Sequence, residues 1–259
     1  MSTKMTEKRI AIVTGVSRLK GIGRGICLEL AKEGIDIFFT YWSDYDKQMP
    51  WGVADNEPNI IQNEIRALGV RCEKIELDLM VENSIDIIFD QVEKKLGKSS
   101  ILINNATYST QTDISNITVK ELDNHYNVNL KATILLSINF IRRFNEGKNG
   151  RIINLTSGQS LGAMGNEIAY AVTKGAIETF TRTIQHEIAY KNITINTVNP
   201  GITDTGWMDA NQRAEFIKLL PRGRFGEPSD VAKLIAFLAS EKADWISGQV
   251  IHSEGGFYR

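Results

Sequence analysis

Short apolar runs alternate with longer amphipathic stretches along this chain. Residues 10–13 (IAIV) predict a buried strand. Residues 22–33 place Ile22, Ile26, Leu28 and Leu30 around one side of a helix, and Gly34 stops it. A second strand is expected over 35–41, a helix over 59–68, a strand near 70–77 and a helix over 82–96 that ends at Gly97. Strand four covers 101–103, and 118–145 predict a long helix, continuous or broken. Strand five covers 151–155, a second long helix 168–190 and strand six 193–198. A helix over 229–240 and a short strand over 249–251 complete the pattern.

That alternation predicts an α/β protein, with a doubly wound parallel sheet of about seven strands, Rossmann-like, and helices on both faces. No internal repeat and no low-complexity linker interrupts it, so residues 1–259 are expected to form a single domain. One stretch breaks the rhythm. Residues 42–58 (WSDYDKQMPWGVADNEP) hold Pro50, Gly52 and Pro58 and show no periodicity. They are expected to form a structureless loop, longer than ordinary βα connections and therefore either functional or mobile.

Composition removes several alternatives. Hydrophobic residues make up 42% and charged residues 24%, which excludes a disordered chain. Lys+Arg number 30 against 31 Asp+Glu, a balance that argues against a nucleic-acid binder. Two cysteines, Cys27 and Cys72, are too few for a disulfide framework or a cysteine zinc site. The three histidines lack metal-ligand spacing, so no metal is expected. The N-terminus has no apolar leader and no apolar run suits a membrane span, so a cytoplasmic location and no membrane partner are expected.

Chemistry gathers at one edge of the expected sheet. Strand one runs into Thr14-Gly15 and, through Gly21-Ile22-Gly23, into a helix. Glycines let a backbone turn tightly against a pyrophosphate, and a helix N-terminus attracts negative charge. Asn104-Asn105, Ser157 and Pro200-Gly201 follow other strands at the same rim, where ligands of open parallel sheets bind. Tyr170 and Lys174 stand at i and i+4 on a predicted helix and share a face. A tyrosine phenol, with an ordinary pKa of ~10, is a poor acid near neutrality. A neighbouring ammonium favours the phenolate and lowers that value. Ser157 is placed to donate to an oxygen on which charge develops.

The glycine turn resembles that of the short-chain dehydrogenase/reductase family, usually T-G-x-x-x-G-I-G. Here five residues, not three, separate Gly15 from Gly21. This two-residue lengthening leaves open which of Ser17, Arg18 and Lys20 faces the phosphates. The resemblance runs the length of the chain. Asp78 matches the aspartate that holds the adenine, and Asn104-Asn105-Ala106 matches Asn-Asn-Ala-Gly with Thr107 in place of the glycine. Asn127-Val128-Asn129 matches the Asn-bearing helix; Ser157, Tyr170 and Lys174 match the serine and the Tyr-x-x-x-Lys. Asn199-Pro200-Gly201 with Thr205 matches the Pro-Gly turn, and Arg224 to Pro228, Ser247 to Gln249 and Gly255-Gly256 match the C-terminal elements.

The resemblance implies a hydride transfer between NADP(H) and a carbonyl or alcohol, with Tyr170, Lys174, Ser157 and Asn129 catalytic. Lys174 would also grip the nicotinamide ribose, and Asn129 would support a water linking Lys174 to solvent; the alternative is that a buried Asn129 simply satisfies backbone groups. The dinucleotide would contact Gly15, Ser17, Arg18, Lys20, Gly21, Ile22 and Gly23 in the turn, and Tyr41 at the end of strand two. Asp78, Leu79, Asn105 and Ala106 would follow, then Tyr170, Lys174, Pro200, Gly201, Ile202 and Thr205. NAD-specific relatives carry an acid at the end of strand two. Here that strand ends Phe39-Thr40-Tyr41-Trp42-Ser43, with no acid before Asp44, and Lys20 precedes Gly21 where NADP-preferring relatives carry a basic residue. NADP(H) is therefore expected, with NAD(H) as the alternative should Asp44 or Asp46 fold back, and with solvated turn charges as the alternative for Arg18 and Lys20. The 42–58 loop is expected at the adenosine end. It is either a mobile insertion or a cover, with Trp42 or Trp51 over the adenine and Lys47 near the phosphate.

Residues 202–226 resemble the family's substrate lid and carry Trp207, Met208, Phe216, Leu219 and Leu220, an oily wall to which Leu161 and Met164 would add. The closest resemblance within the family is to 3-oxoacyl-acyl-carrier-protein reductases. Lys148 and Lys191 fall where those reductases carry basic residues for an acidic carrier. The substrate is expected to be a small carbonyl compound, a ketone or a carrier-bound 3-oxoacyl thioester. A general aldehyde, ketone or sugar reductase and a non-catalytic dinucleotide sensor are the alternatives. Enoyl reductases of the superfamily usually space Tyr and Lys further apart and lack the serine. A homotetramer or homodimer is implied, built through the two long helices.

Overall fold

The computed structural model describes residues 8–144 and 149–257. Seven parallel strands form one sheet in the order β3-β2-β1-β4-β5-β6-β7. They are β1 (Ile10–Val13), β2 (Asp36–Tyr41), β3 (Cys72–Glu76), β4 (Ile101–Asn104), β5 (Gly150–Leu155), β6 (Ile193–Asn199) and β7 (Val250–His252). The central strands are buried on both faces, which is why β1, β2 and β4 read as near-continuous apolar runs rather than alternating ones. Alternate residues feed opposite layers. Ala11, Val13, Ile37, Phe39 and Ile103 pack under α1 (Ile22–Lys32), α3 (Glu57–Ala67) and α9 (Pro228–Ala239). Ile10, Ile12, Phe38 and Leu102 pack under α4 (Ser84–Lys95), α6 (Ala132–Arg143) and α7 (Ile168–Ala189).

One expectation needs correction, and one left open is resolved. Residues 42–58 are not structureless: Ser43–Gln48 form a short helix, α2, and α3 begins inside the stretch at Glu57, with Pro58 in its first turn. Asp44 and Asp46 sit in the first turn of α2, where negative charge suits the helix dipole, and Glu76 on β3 accepts the Ser43 N–H at 3.2 Å. A six-residue helix is too short to show a period. The long helix over 118–145 is three pieces: α5 (Val119–His125), a π-helical turn over Tyr126–Lys131, and α6. The π turn carries Asn129, and such bulges recur at functional sites.

The lid segment holds α8 (Ala210–Leu219), started by a capping box between Asp209 and Gln212. Its base is closed where Thr203 pairs with Gly226. Among the described residues no helix is long and apolar enough to cross a membrane.

Candidate active site

The order of the strands sets the site. The strand order reverses between β1 and β4, one half of the sheet growing outward from each, and in such sheets the crevice outside the strand ends at that switch point takes the ligand. There the glycine turn is bolted to the loop after β4. The Thr14 hydroxyl accepts the N–H groups of Asn105 and Ala106 at 3.1 and 3.0 Å. The Asn105 amide donates to the carbonyls of Thr14 and Gly15 at 2.8 and 2.9 Å. Gly15 has φ +73°, and a Cβ there would lie 2.6 Å from the Ala106 Cα; one on Gly23 would lie 2.8 Å from the Gly15 carbonyl oxygen. Only glycine fits either position. The α1 N-terminus has no side-chain cap and no acid in its first turn. Its free N–H groups and bare backbone fit a pyrophosphate.

The two cations of the lengthened turn face different ways. Arg18 is largely buried. It pairs with Asp46 of α2 at 3.1 Å, donates to the Thr205 carbonyl at 2.9 Å and lies 5.0 Å from the centre of the Trp51 ring. It is not a solvated turn charge. Lys20 is exposed and makes no ion pair among the described residues. Ser17 is buried, and the Leu19 N–H beside them donates to Glu57 at 2.5 Å. Lys47, expected near a phosphate, pairs instead with Asp55 at 2.9 Å.

At the outer end, Tyr41 closes β2 and its carbonyl accepts the N–H of Leu77 at 2.9 Å, with Asp78 and Leu79 following beyond β3. One Asp78 carboxylate oxygen accepts the Met80 N–H at 2.9 Å. At the other end, Asn199 holds the Gly201 N–H at 3.0 Å and so shapes the Pro200-Gly201 turn; the Ile202 carbonyl accepts from Gly226 at 3.0 Å.

Tyr170 and Lys174 come together as the helix spacing requires, with the ammonium nitrogen 5.5 Å from the centre of the phenol ring. Lys174 is 2% exposed, and its ammonium donates to the Leu155 carbonyl at 3.0 Å. Burial pulls its pKa down from 10.5 to about 7. Ser157 lies two residues beyond that carbonyl, half-buried at the same rim. The mouth of α7 is pinned to the loop after β4: Thr112 pairs with Glu167, and its hydroxyl accepts the Ala169 N–H at 3.1 Å.

Asn129 does something more specific than the motif implied. Its amide oxygen accepts the Tyr108 N–H at 2.7 Å and the Thr107 hydroxyl at 3.1 Å. Its amide nitrogen donates to the Tyr108 carbonyl at 2.9 Å and to Thr173 at 3.2 Å. The side chain thus ties the β4 loop to the turn of α7 between Tyr170 and Lys174. It pairs with both backbone groups of Tyr108. The sequence reading missed Tyr45 and Ser109, whose mutual bonds span 64 residues and leave no local pattern.

On the lid, Trp207 donates to the Thr203 carbonyl at 3.1 Å and meets Phe216 edge-on at 6.2 Å. Leu161 is exposed and Met164 half-buried on the segment beyond β5. Lys191 is exposed after α7, while Lys148 lies outside the described residues.

Comparison with known proteins agrees with this geometry. A family model described as enoyl-(acyl carrier protein) reductase matches residues 15–258. An uncharacterized oxidoreductase of Bacillus subtilis, YjdA, is 46% identical over 256 residues, covering 98% of each chain. A 3-oxoacyl-[acyl-carrier-protein] reductase, FabG, of Staphylococcus epidermidis is 34% identical, covering 96% of this chain and 98% of its own. Among solved structures, the landomycin C-6 ketoreductase LanV with bound NADP and rabelomycin superposes with a TM-score of 0.83 at 29% identity, covering 96% and 95% of the two chains. A short-chain dehydrogenase/reductase of Serratia marcescens gives 0.85 at 27%, covering 97% and 98%. The chain belongs to the short-chain dehydrogenase/reductase family, and it is an oxidoreductase of that family.

Proposed function

We propose that this protein is an NADP(H)-dependent carbonyl reductase whose substrate is a ketone or a 3-oxoacyl thioester. The observation that carries the reading is the buried Lys174 ammonium under the Tyr170 ring, at a rim that also holds Ser157 and the glycine cradle. A bound dihydronicotinamide supplies hydride to the carbonyl carbon. The protein's own residues handle the oxygen. Ser157 donates to it as charge develops, and Tyr170 delivers the proton. Lys174 lowers the cost of the phenolate that remains. With one N–H donated to the Leu155 carbonyl, the ammonium keeps two donors for the ribose hydroxyls. Asn129 fixes the loop and helix that present these groups.

Carbonyl rather than enoyl reduction is favoured by the serine and by the i, i+4 spacing of Tyr170 and Lys174. NADP(H) is favoured by exposed Lys20 and by the absence of an acid on the last residues of β2. The 3-oxoacyl substrate rests on likeness to FabG and a ketone on likeness to LanV. Exposed Leu122, Tyr126 and Leu135 on the α5–α6 face, and Val172 and Tyr190 on α7, favour a homodimer or homotetramer.

The test is NADPH oxidation across a panel of ketones and 3-oxoacyl thioesters. Turnover on at least one class is expected. Tight NADPH binding with no turnover on any would favour the sensor reading instead.

A further inference from the structure

The segment after β2 does not stay at the adenosine end. Tyr45 of α2 reaches the loop after β4: its hydroxyl donates to the Ser109 carbonyl at 3.1 Å and accepts the Ser109 N–H at 3.0 Å. Its ring lies 5.4 Å from Tyr108 and 6.4 Å from Trp51. In the sheet order β1 lies between β2 and β4. A chain that leaves the end of β2 and bonds to the loop beyond β4 must therefore cross over the end of β1, where the glycine turn and the crevice lie.

Both ends of the crossing are fixed. On the near side Asp46 holds Arg18 of the turn and accepts the Trp51 indole N–H at 2.9 Å, while Trp51 covers the Arg18 guanidinium. On the far side the post that receives Tyr45 is itself rigid. Tyr108 is tied to Asn129, and its ring meets buried His125 edge-on at 4.9 Å. Burial, with Tyr170 among the surrounding groups, raises the Tyr45 pKa above its ordinary value, so the phenol keeps its proton and both bonds near neutral pH.

We propose that residues 43–51 form a strap across the dinucleotide groove, clasped by Tyr45 to Ser109 and by Asp46 to Arg18, and that the dinucleotide is taken up and released only when the clasp opens. The proposal rests on the reading that this groove binds NADP(H). It makes Tyr45 and Asp46 positioning residues of a roofed site and adds Arg18 as the strut between strap, turn and lid. A strap that closes alike over the filled and the empty groove slows uptake and release by the same factor and leaves the affinity unchanged. A mere contact with the bound cofactor would change release alone.

The experiment is stopped-flow binding of NADPH to the full chain, read by dihydronicotinamide fluorescence, for wild type, Tyr45→Phe, Tyr45→Ala and Asp46→Asn. Tyr45→Ala is expected to raise both association and dissociation rates about tenfold, with Kd within about threefold of wild type. Tyr45→Phe, which loses only the hydroxyl, should raise both by less. Asp46→Asn weakens the opposite end of the strap and should give the same paired increase, which keeps the test open if Tyr45→Ala fails to fold. Unchanged rates, or a rise in dissociation alone, would overturn the strap. Failure of wild type to bind NADPH at all would overturn the cofactor reading, and with it the strap.

Discussion

The two ends of the groove are built on different principles. At the catalytic end, chemistry rides on regular elements. Tyr170 and Lys174 share one helix face, and Ser157 lies two residues past a strand. Buried polar pins lock these elements together: Asn129 to Thr173, Thr112 to Ala169, Lys174 to Leu155. At the phosphate end, the additions to the ordinary turn are held by contacts between distant segments. Arg18 meets Asp46, Leu19 meets Glu57, and Tyr45 meets Ser109. A rigid end suits atoms that must react within a fraction of an ångström. A fastened but openable end suits a cofactor that must be exchanged each turnover. The comparison predicts that substitutions at one end change chemistry, and at the other end change binding rates.

The largest effect tests that division directly. Tyr170→Phe removes the proton donor and keeps the ring that covers Lys174. Turnover should fall by roughly 10²–10⁴-fold, while NADPH affinity and both binding rates stay at wild-type values. Activity within tenfold of wild type would remove Tyr170 as the acid. A large change in NADPH rates would erase the distinction between the ends.

Next comes the electrostatic cost of the catalytic end. The Lys174 pKa is about 7 in the fold, against 10.5 for the ordinary group. Between those values the unfolded chain binds a proton that the fold does not. Stability therefore rises with pH through that window, and the full penalty stands below it. The contribution is on the order of a few kcal/mol. Lys174→Met should abolish it, so urea unfolding at pH 7 and pH 9.5 should show wild type gaining on the variant at the higher pH. Parallel stabilities at both pH values would mean that burial does not depress this lysine.

Much of the catalytic end was legible because its signals are short-range. A four-residue spacing on a helix, a serine two residues past a strand, and a strand-to-glycine turn can all be read from neighbouring positions. The fold was legible for the same reason, since strands buried on both faces announce themselves as apolar runs. What stayed hidden depends on partners far along the chain. The α2 helix is too short to show a period and leans on Glu76, Arg18 and Ser109. The π turn at Asn129 arises inside a pattern that reads as ordinary helix. Within it Asn129 makes four hydrogen bonds to the β4 loop and α7, partners that no local pattern displays.

The seam between the ends can be stressed at Gly15. The left-handed φ of +73° and the 2.6 Å approach to Ala106 leave no room for a methyl group. Gly15→Ala should lower stability by about 1–3 kcal/mol and weaken NADPH binding more than tenfold, measured by urea unfolding and fluorescence titration. An unchanged affinity would place the pyrophosphate elsewhere.

The smallest effect separates two cations two positions from one another. Arg18 is occupied by Asp46, the Thr205 carbonyl and Trp51, so it acts as a strut for strap and lid whichever dinucleotide is bound. Lys20 is exposed and without an ion pair among the described residues, which leaves it able to meet a 2′-phosphate. Lys20→Ala should lower kcat/KM for NADPH about tenfold and leave the value for NADH nearly unchanged, the loss of one charge-assisted hydrogen bond. Arg18→Ala should shift both values in parallel. If Lys20→Ala instead leaves the NADPH/NADH ratio untouched and Arg18→Ala collapses it, the strut is also the phosphate reader, and the lengthened turn serves cofactor choice rather than the strap.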